Sequence, residues 1–197
     1  MVETGEIVIE QDAGGEVAVP GGIIQNWAGC VFIPGGSLAK TLNLLQDYDR
    51  HKDIYPEVID SRLLSRNGDR MTAYLRLVKK KVLTVVLNTE HEVQVGEIGA
   101  RRGFIRSRST RITEVRNAGE PDETQLPSEE DSGFLWRLNA YWRLEETNRG
   151  LYVELSTISL SRDIPMGLAW LMKPFVREVP RESLRSTLAA TRRAMLP

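Results

Sequence analysis

Cysteine and histidine are nearly absent from this chain of 197 residues, which has a single cysteine, Cys30, and two histidines, His51 and His91. A lone cysteine forms no internal disulfide, and these three side chains fall short of the four ligands of a structural zinc site. No apolar run approaches the ~20 residues of a membrane-spanning helix, so stable membrane insertion is not expected. Charge of one sign is lacking too: 26 Lys and Arg stand against 27 Asp and Glu, a net charge of −1, and the basic residues are scattered among acids. That removes the electrostatic footprint of a nucleic-acid binder. Gly14-Gly15 and Gly21-Gly22 lack the strand-turn-helix spacing of a dinucleotide fingerprint. No Gly-x-Ser-x-Gly elbow occurs, and Ser156, Ser159 and Ser161 have no histidine close in sequence. No metal and no cofactor is therefore expected. Nothing between Met1 and Glu16 has the charged then apolar character of a secretory leader, which makes the cytoplasm the expected compartment, or the periplasm if a leader has been trimmed.

What is present suffices for one core: 41% of the residues are hydrophobic. One domain over 1–197 is expected, with 1–21 as an N-terminal extension. Gly22–Pro34 reads as a half-buried strand. The period then changes, with Leu38, Leu42 and Leu45 at helical spacing behind Ser37, a residue suited to accept an N–H at a helix start. This helix is expected to reach Tyr48, with a short turn from Asp49 to Ile54 ended by Pro56. Strands follow. Val58–Leu64 and Met71–Val78 flank the turn signal Asn67-Gly68-Asp69. Val82–Val95 alternates so that Val85, Leu87, Thr89, His91, Val93 and Val95 share a face, and Phe104–Val115 comes next. Asn117–Ser132 reads as a solvated loop, after which two long strands meet at Asn148-Arg149-Gly150. The chain closes with a helix over Met166–Met195, broken near Pro174 and restarting at Pro180, with Leu184, Leu188, Thr191 and Met195 on one stripe.

Candidate chemistry is sparse, and each candidate has a bland alternative. His51 sits among Arg50, Lys52 and Asp53, where a solvent-facing side chain is the ordinary outcome. His91 shares the apolar face of its strand, as a hydrogen-bonded core or rim residue or as an acid–base group. In Arg106-Ser-Arg-Ser-Thr-Arg111, Arg106, Arg108 and Thr110 alternate against Ser107, Ser109 and Arg111. Arg108 would receive an anionic headgroup at a cavity wall, or else pair with cross-strand acids such as Glu90 and Glu92. Trp136, Leu138, Ala140, Trp142 and Leu144 share one face, which is either plain core or the wall of an apolar pocket; Tyr141 and Asn139 replace them if the faces are reversed. Glu154 is a buried acid or a rim carboxylate paired with Arg143.

The course from Trp27 to Met195 resembles the START-related helix-grip superfamily, SRPBCC, which includes polyketide cyclases and lipid-transfer domains. The likeness rests on element order and on the stretch Leu38 through Tyr48-Asp-Arg-His-Lys-Asp-Ile-Tyr-Pro-Glu-Val58, with Ile164-Pro165 and Pro180-Arg-Glu-Ser-Leu184 near the end. In texture it is nearest to uncharacterised bacterial members. The resemblance implies an α+β fold in which a curved antiparallel sheet wraps a long C-terminal helix. It also implies binding or transport of a hydrophobic or amphiphilic small molecule, lipid-, isoprenoid- or polyketide-like, between sheet and helix. The expected cavity residues are Leu87, His91, Arg108, Trp136, Leu138, Tyr141, Trp142, Glu154, Trp170, Leu171 and Phe175. The expected mouth lies among the Gly96–Gly103 loop, the Ile164–Gly167 turn and the Pro174 break. Two alternatives stand beside binding: a cyclase/aromatase-like or hydrolase-like enzyme using His91, Glu154 or Tyr141, and an interaction module with a filled cavity.

Overall fold

The structure of the protein, a computed structural model, describes residues 6–81, 83–127, 130–162 and 178–196, with the backbone alone at 12–14. The expected features at Ile164–Pro165, Trp170, Leu171, Phe175 and the Pro174 break lie outside the described residues. Among the described residues, nine strands form one antiparallel sheet: β1 (Val8–Val19), β2 (Gly22–Pro34), β3 (Val58–Asn67), β4 (Arg70–Lys80), β5 (Thr84–Glu97), β6 (Arg102–Arg116), β7 (Thr124–Gln125), β8 (Arg137–Thr147) and β9 (Gly150–Arg162). They run in the spatial order β1-β2-β9-β8-β6-β5-β4-β3, with the two-residue β7 beside β6. Helix α1 (Leu38–Gln46), a 3-10 turn (Tyr48–Arg50) and α2 (His51–Ile54) link β2 to β3, and α3 (Val179–Met195) closes the chain. The N-terminal extension supplies an edge strand, since β1 pairs with β2 from Val8↔Cys30 to Val19↔Gly22.

The sheet grips α3 chiefly through β2 and β9. Leu184 and Leu188, four residues apart on one face of α3, are fully buried, each contributing ~1.5–3 kcal/mol by leaving water. The close approach has a cause in sequence. A Cβ at Gly29 of β2 would lie 2.8 Å from Leu188 Cδ1, so a side chain there would have to push Leu188 aside, and its absence gives the helix room. Pro180 lies in the first turn of α3, where a missing N–H costs nothing. Helix α1 buries the expected stripe of Leu38, Leu42 and Leu45, and Thr41 beside it. Ser37 takes the N-cap position but its side chain makes no cap bond; the Glu146 carboxylate on β8 accepts the Leu38 N–H instead, at 2.5 Å.

One irregularity decides the faces of β6. Glu90 pairs with Arg111 and His91 with Ser109, so Thr110 is an extra residue in a β-bulge. Ser107 and Ser109 keep their inward positions, while Arg111, expected opposite Arg108, joins it on the outer face. There the charges form a ladder: Arg108 meets Glu92 at 2.8 Å and Arg111 meets Glu90 at 3.9 Å.

Candidate functional site

A cavity of about 280 Å³ lies between the inner face of the sheet and the helices. Strand alternation builds its apolar wall: Leu75 and Leu77 from β4, Val85 and Leu87 from β5, Leu138, Ala140 and Trp142 from β8, and Leu155 from β9. Phe134 and Leu135 add to it from the segment before β8, and Leu184 faces them from α3. Hydroxyls interrupt this surface at Thr157, Ser159 and Ser161 of β9, beside Gln25 of β2, which pairs with Ser159. Among the described lining residues only Glu57 and Lys79 carry charge, and they neutralise each other at 2.5 Å at the rim. Ser183 of α3 donates to the same Glu57 carboxylate at 2.6 Å. Just outside, Lys81 reaches Glu182 at 2.6 Å and Glu178 at 3.7 Å, so the start of α3 is tied to the end of β4 by charge.

His91 lies inside, 3% exposed, with a hydrogen-bond partner on each ring nitrogen: Thr89 Oγ1 at 3.0 Å from Nε2 and Ser107 Oγ at 3.2 Å from Nδ1. Burial disfavours the imidazolium and pushes its pKa down to about 4. His51 departs from expectation. Instead of facing solvent it is 7% exposed, packed between the rings of Tyr48 and Tyr55 with centroids 4.4 and 5.0 Å away. Short range forces this. The Lys52 N–H is held by Ser61 Oγ at 3.0 Å and the Leu63 N–H by Asp49 Oδ1 at 2.9 Å, which lays α2 against β3 with His51 underneath. Burial lowers its pKa to about 4 as well, opposed by the backbone carbonyls of Leu45 and Leu44, and its Nε2 has no hydrogen-bond partner. Burial likewise raises Tyr55 to about 12 and Tyr48 further still. Both phenols are neutral donors at any ordinary pH. Thr191 spends its hydrogen on the Thr187 carbonyl at 2.9 Å, so Tyr55 donates to Thr191 at 3.2 Å.

Of the expected cavity residues, Leu87, His91, Leu138 and Trp142 come together on the wall. Arg108, Tyr141 and Glu154 do not. Arg108 is spent on Glu92, Glu154 accepts from Arg143 at 2.7 Å, and Tyr141 shares a shallow outer groove with Arg106 and Arg108. The cause is the alternation itself, since a charged side chain on the inner face would lose its water without a partner. Trp136 stands just before β8, off the cavity wall, with Arg162 over its ring at 5.5 Å and its Nε1 donating to Asp131 at 3.2 Å. Trp170, Leu171 and Phe175 lie outside the described residues. The Gly96–Gly103 loop contributes nothing to the lining; Gly103 packs under Leu38 and Leu42 of α1. The described lining on that side is instead Pro56–Val58, Lys79, Val179, Pro180 and Ser183. Ser107, Tyr55 and His51 were missed as site residues. Ser107 had a signal in its inward alternation with Ser109, whereas the helical corner had none.

No protein-family model matches the chain, and no curated protein matches its sequence. Solved structures do. A STAR-related lipid transfer protein fragment from Xanthomonas axonopodis superposes with a TM-score of 0.62 at 17% identity, over 96% of this chain and 98% of that one. An aromatase/cyclase from a Streptomyces species gives 0.61 at 12% identity, over 87% and 93%. Human STARD10 gives 0.57 at 10% identity, over 93% and 72%. At these identities the likeness is one of fold, and the fold of this chain is a START-like helix-grip fold.

Proposed function

We propose that the protein binds and carries a hydrophobic or amphiphilic small molecule in the cavity between its sheet and α3. The observation that carries this reading is a wall of leucines, valines and Trp142 interrupted only by uncharged polar groups. Such surfaces gain affinity from apolar burial and orientation from a few polar groups. The volume of about 280 Å³ equals that of about nine liquid waters at ~30 Å³ each, near the small end of ligand sites. The lipid-transfer and aromatase/cyclase names among the fold neighbours support the same ligand class. Of the three acid–base candidates, Glu154 and Tyr141 face away, so an enzymatic reading is left with His91 alone.

Native mass spectrometry of freshly purified protein, with titration by the neutral dye N-phenyl-1-naphthylamine, tests the proposal. A bound apolar or amphiphilic compound, or saturable dye binding that such compounds displace, is the expected result. Protein free of any adduct and unable to bind the dye would sink it. Leu138→Trp adds bulk at the wall and is expected to weaken dye binding while the fold persists. A loss of ~1–3 kcal/mol in stability with unchanged dye binding would instead identify Leu138 as packed core.

A further inference from the structure

Inside this cavity the hydrogen bonds have a direction. It is fixed at one end by a main-chain carbonyl, which has no hydrogen to give. The Leu75 carbonyl on β4 receives the Thr89 hydroxyl at 3.0 Å. A hydroxyl has one hydrogen; with it on the Leu75 carbonyl, Thr89 Oγ1 accepts from His91 Nε2, 3.0 Å away, and Nε2 then carries the proton. In a neutral imidazole the other nitrogen is then an acceptor. Nδ1 takes the only hydrogen of Ser107, at 3.2 Å. Burial keeps His91 in this neutral form, since its pKa is pushed down to about 4. The chain ends at Ser107, which lines the cavity and has nothing left to offer it but lone pairs. Among the described residues no other group donates to Ser107 Oγ.

We propose that the cavity selects a ligand bearing a hydrogen-bond donor, a hydroxyl or an N–H, and seats that donor on Ser107 Oγ. This rests on the ligand-binding reading above and narrows it. An ether, a ketone or a carboxylate presents only lone pairs, so it would lose its water without gaining a partner at this point. A neutral alcohol, phenol or amide N–H completes the chain. The absence of an unpaired cation from the described wall points the same way, because nothing there compensates a buried anion.

Three compounds that share a ring and differ in one group test the selection: 2-naphthol, 2-methoxynaphthalene and 2-naphthoate, each displacing N-phenyl-1-naphthylamine at pH 7.5. The naphthol is expected to bind about tenfold more tightly than its methyl ether, equivalent to ~1.4 kcal/mol, with the carboxylate weakest. Ser107→Ala should bring naphthol and ether within about twofold of each other. Equal binding of the two by the wild type, or a preference that survives in Ser107→Ala, overturns the proposal. The direction of the chain is read independently from the ¹⁵N shifts of the His91 ring without any ligand: a proton on Nε2 supports it, and a proton on Nδ1 defeats it. Should the dye and all three compounds fail to bind while Nε2 is protonated, it is the ligand-binding reading that has failed, and the selection falls with it.

Discussion

His51 and His91 are buried to almost the same degree and have the same lowered pKa, yet they are held by opposite means. His91 belongs to the sheet, where two neighbouring strands each supply a hydroxyl and both ring nitrogens are engaged. His51 belongs to the helical corner, where Tyr48 packs tilted and Tyr55 edge-on against it, the carbonyls of Leu45 and Leu44 oppose the lowering of its pKa, and its Nε2 is left without a partner. The sheet engages both ring nitrogens with hydroxyls, and the corner leaves one of them unengaged. A ligand group placed against the first meets a defined lone pair. One placed against the second meets packing.

The largest expected effect is one that both histidines share. Each has its folded pKa lowered to about 4 against an ordinary 6.5, so between those values the unfolded chain binds more protons than the folded one. Their contribution is fully present above pH 6.5 and is lost as the pH falls toward 4. By pH 5 the loss is on the order of 2 kcal/mol for each residue, or ~4 kcal/mol together. Urea midpoints at pH 7.5 and pH 5 measure it, and the difference should shrink by about half in His51→Phe. The same midpoint in the variant and the wild type at both pH values would show that His51 titrates normally and is not buried as described.

The next effect separates the two residues. At pH 7.5, His91→Phe is expected to cost ~1–3 kcal/mol and to abolish the preference for naphthol over its ether, because Ser107 loses its acceptor. His51→Phe keeps the ring between Tyr48 and Tyr55 and removes an unpartnered nitrogen, so its cost should stay below ~1 kcal/mol with the preference intact. If the two costs are reversed, the hydrogen-bonded chain is not what holds His91. The smallest effects belong to the outer face. Arg108→Ala and Glu154→Gln, each breaking one exposed ion pair, should change stability by less than ~1 kcal/mol and dye binding not at all. A clear loss of binding in either would bring that face back into the site.

The same pair of histidines marks how far the sequence could be read. In β5 a two-residue period over fourteen positions assigns His91 to the inner face as surely as it assigns Leu87, because one mistake in phase would turn the whole strand over. The Leu138–Trp142 stripe of β8 was legible for the same reason, and strand β2 was legible to both its ends from its apolar and β-branched content. Helix α2 has four residues, one turn, so no period exists to say which side is covered; its polar neighbours suggested solvent, while the bonds that bury His51 come from Asp49 and Ser61. The bulge at Thr110 was silent for a related reason. It depends on how β6 meets β5, and not on β6 itself, so Arg111 was assigned to the wrong side. The partnership of His91 with Ser107 joins residues sixteen apart, and that too is a property of register, which alternation within one strand does not contain.

The ties at the start of α3 lead to a different kind of behaviour. Lys79 and Lys81, with Glu57, Glu178 and Glu182, hold the rim by charge at the surface, whereas the wall behind them is neutral. Dissolved ions weaken only the first of these, since exposed charges are screened over ~10 Å at 0.1 M salt. On the proposed reading, a ligand that passes that rim is expected to enter and leave at a rate that ionic strength governs, with the equilibrium between bound and free unchanged. Added salt would then quicken exchange in both directions alike, so that the surroundings of such a carrier set how fast it trades a ligand without altering how much of it is held.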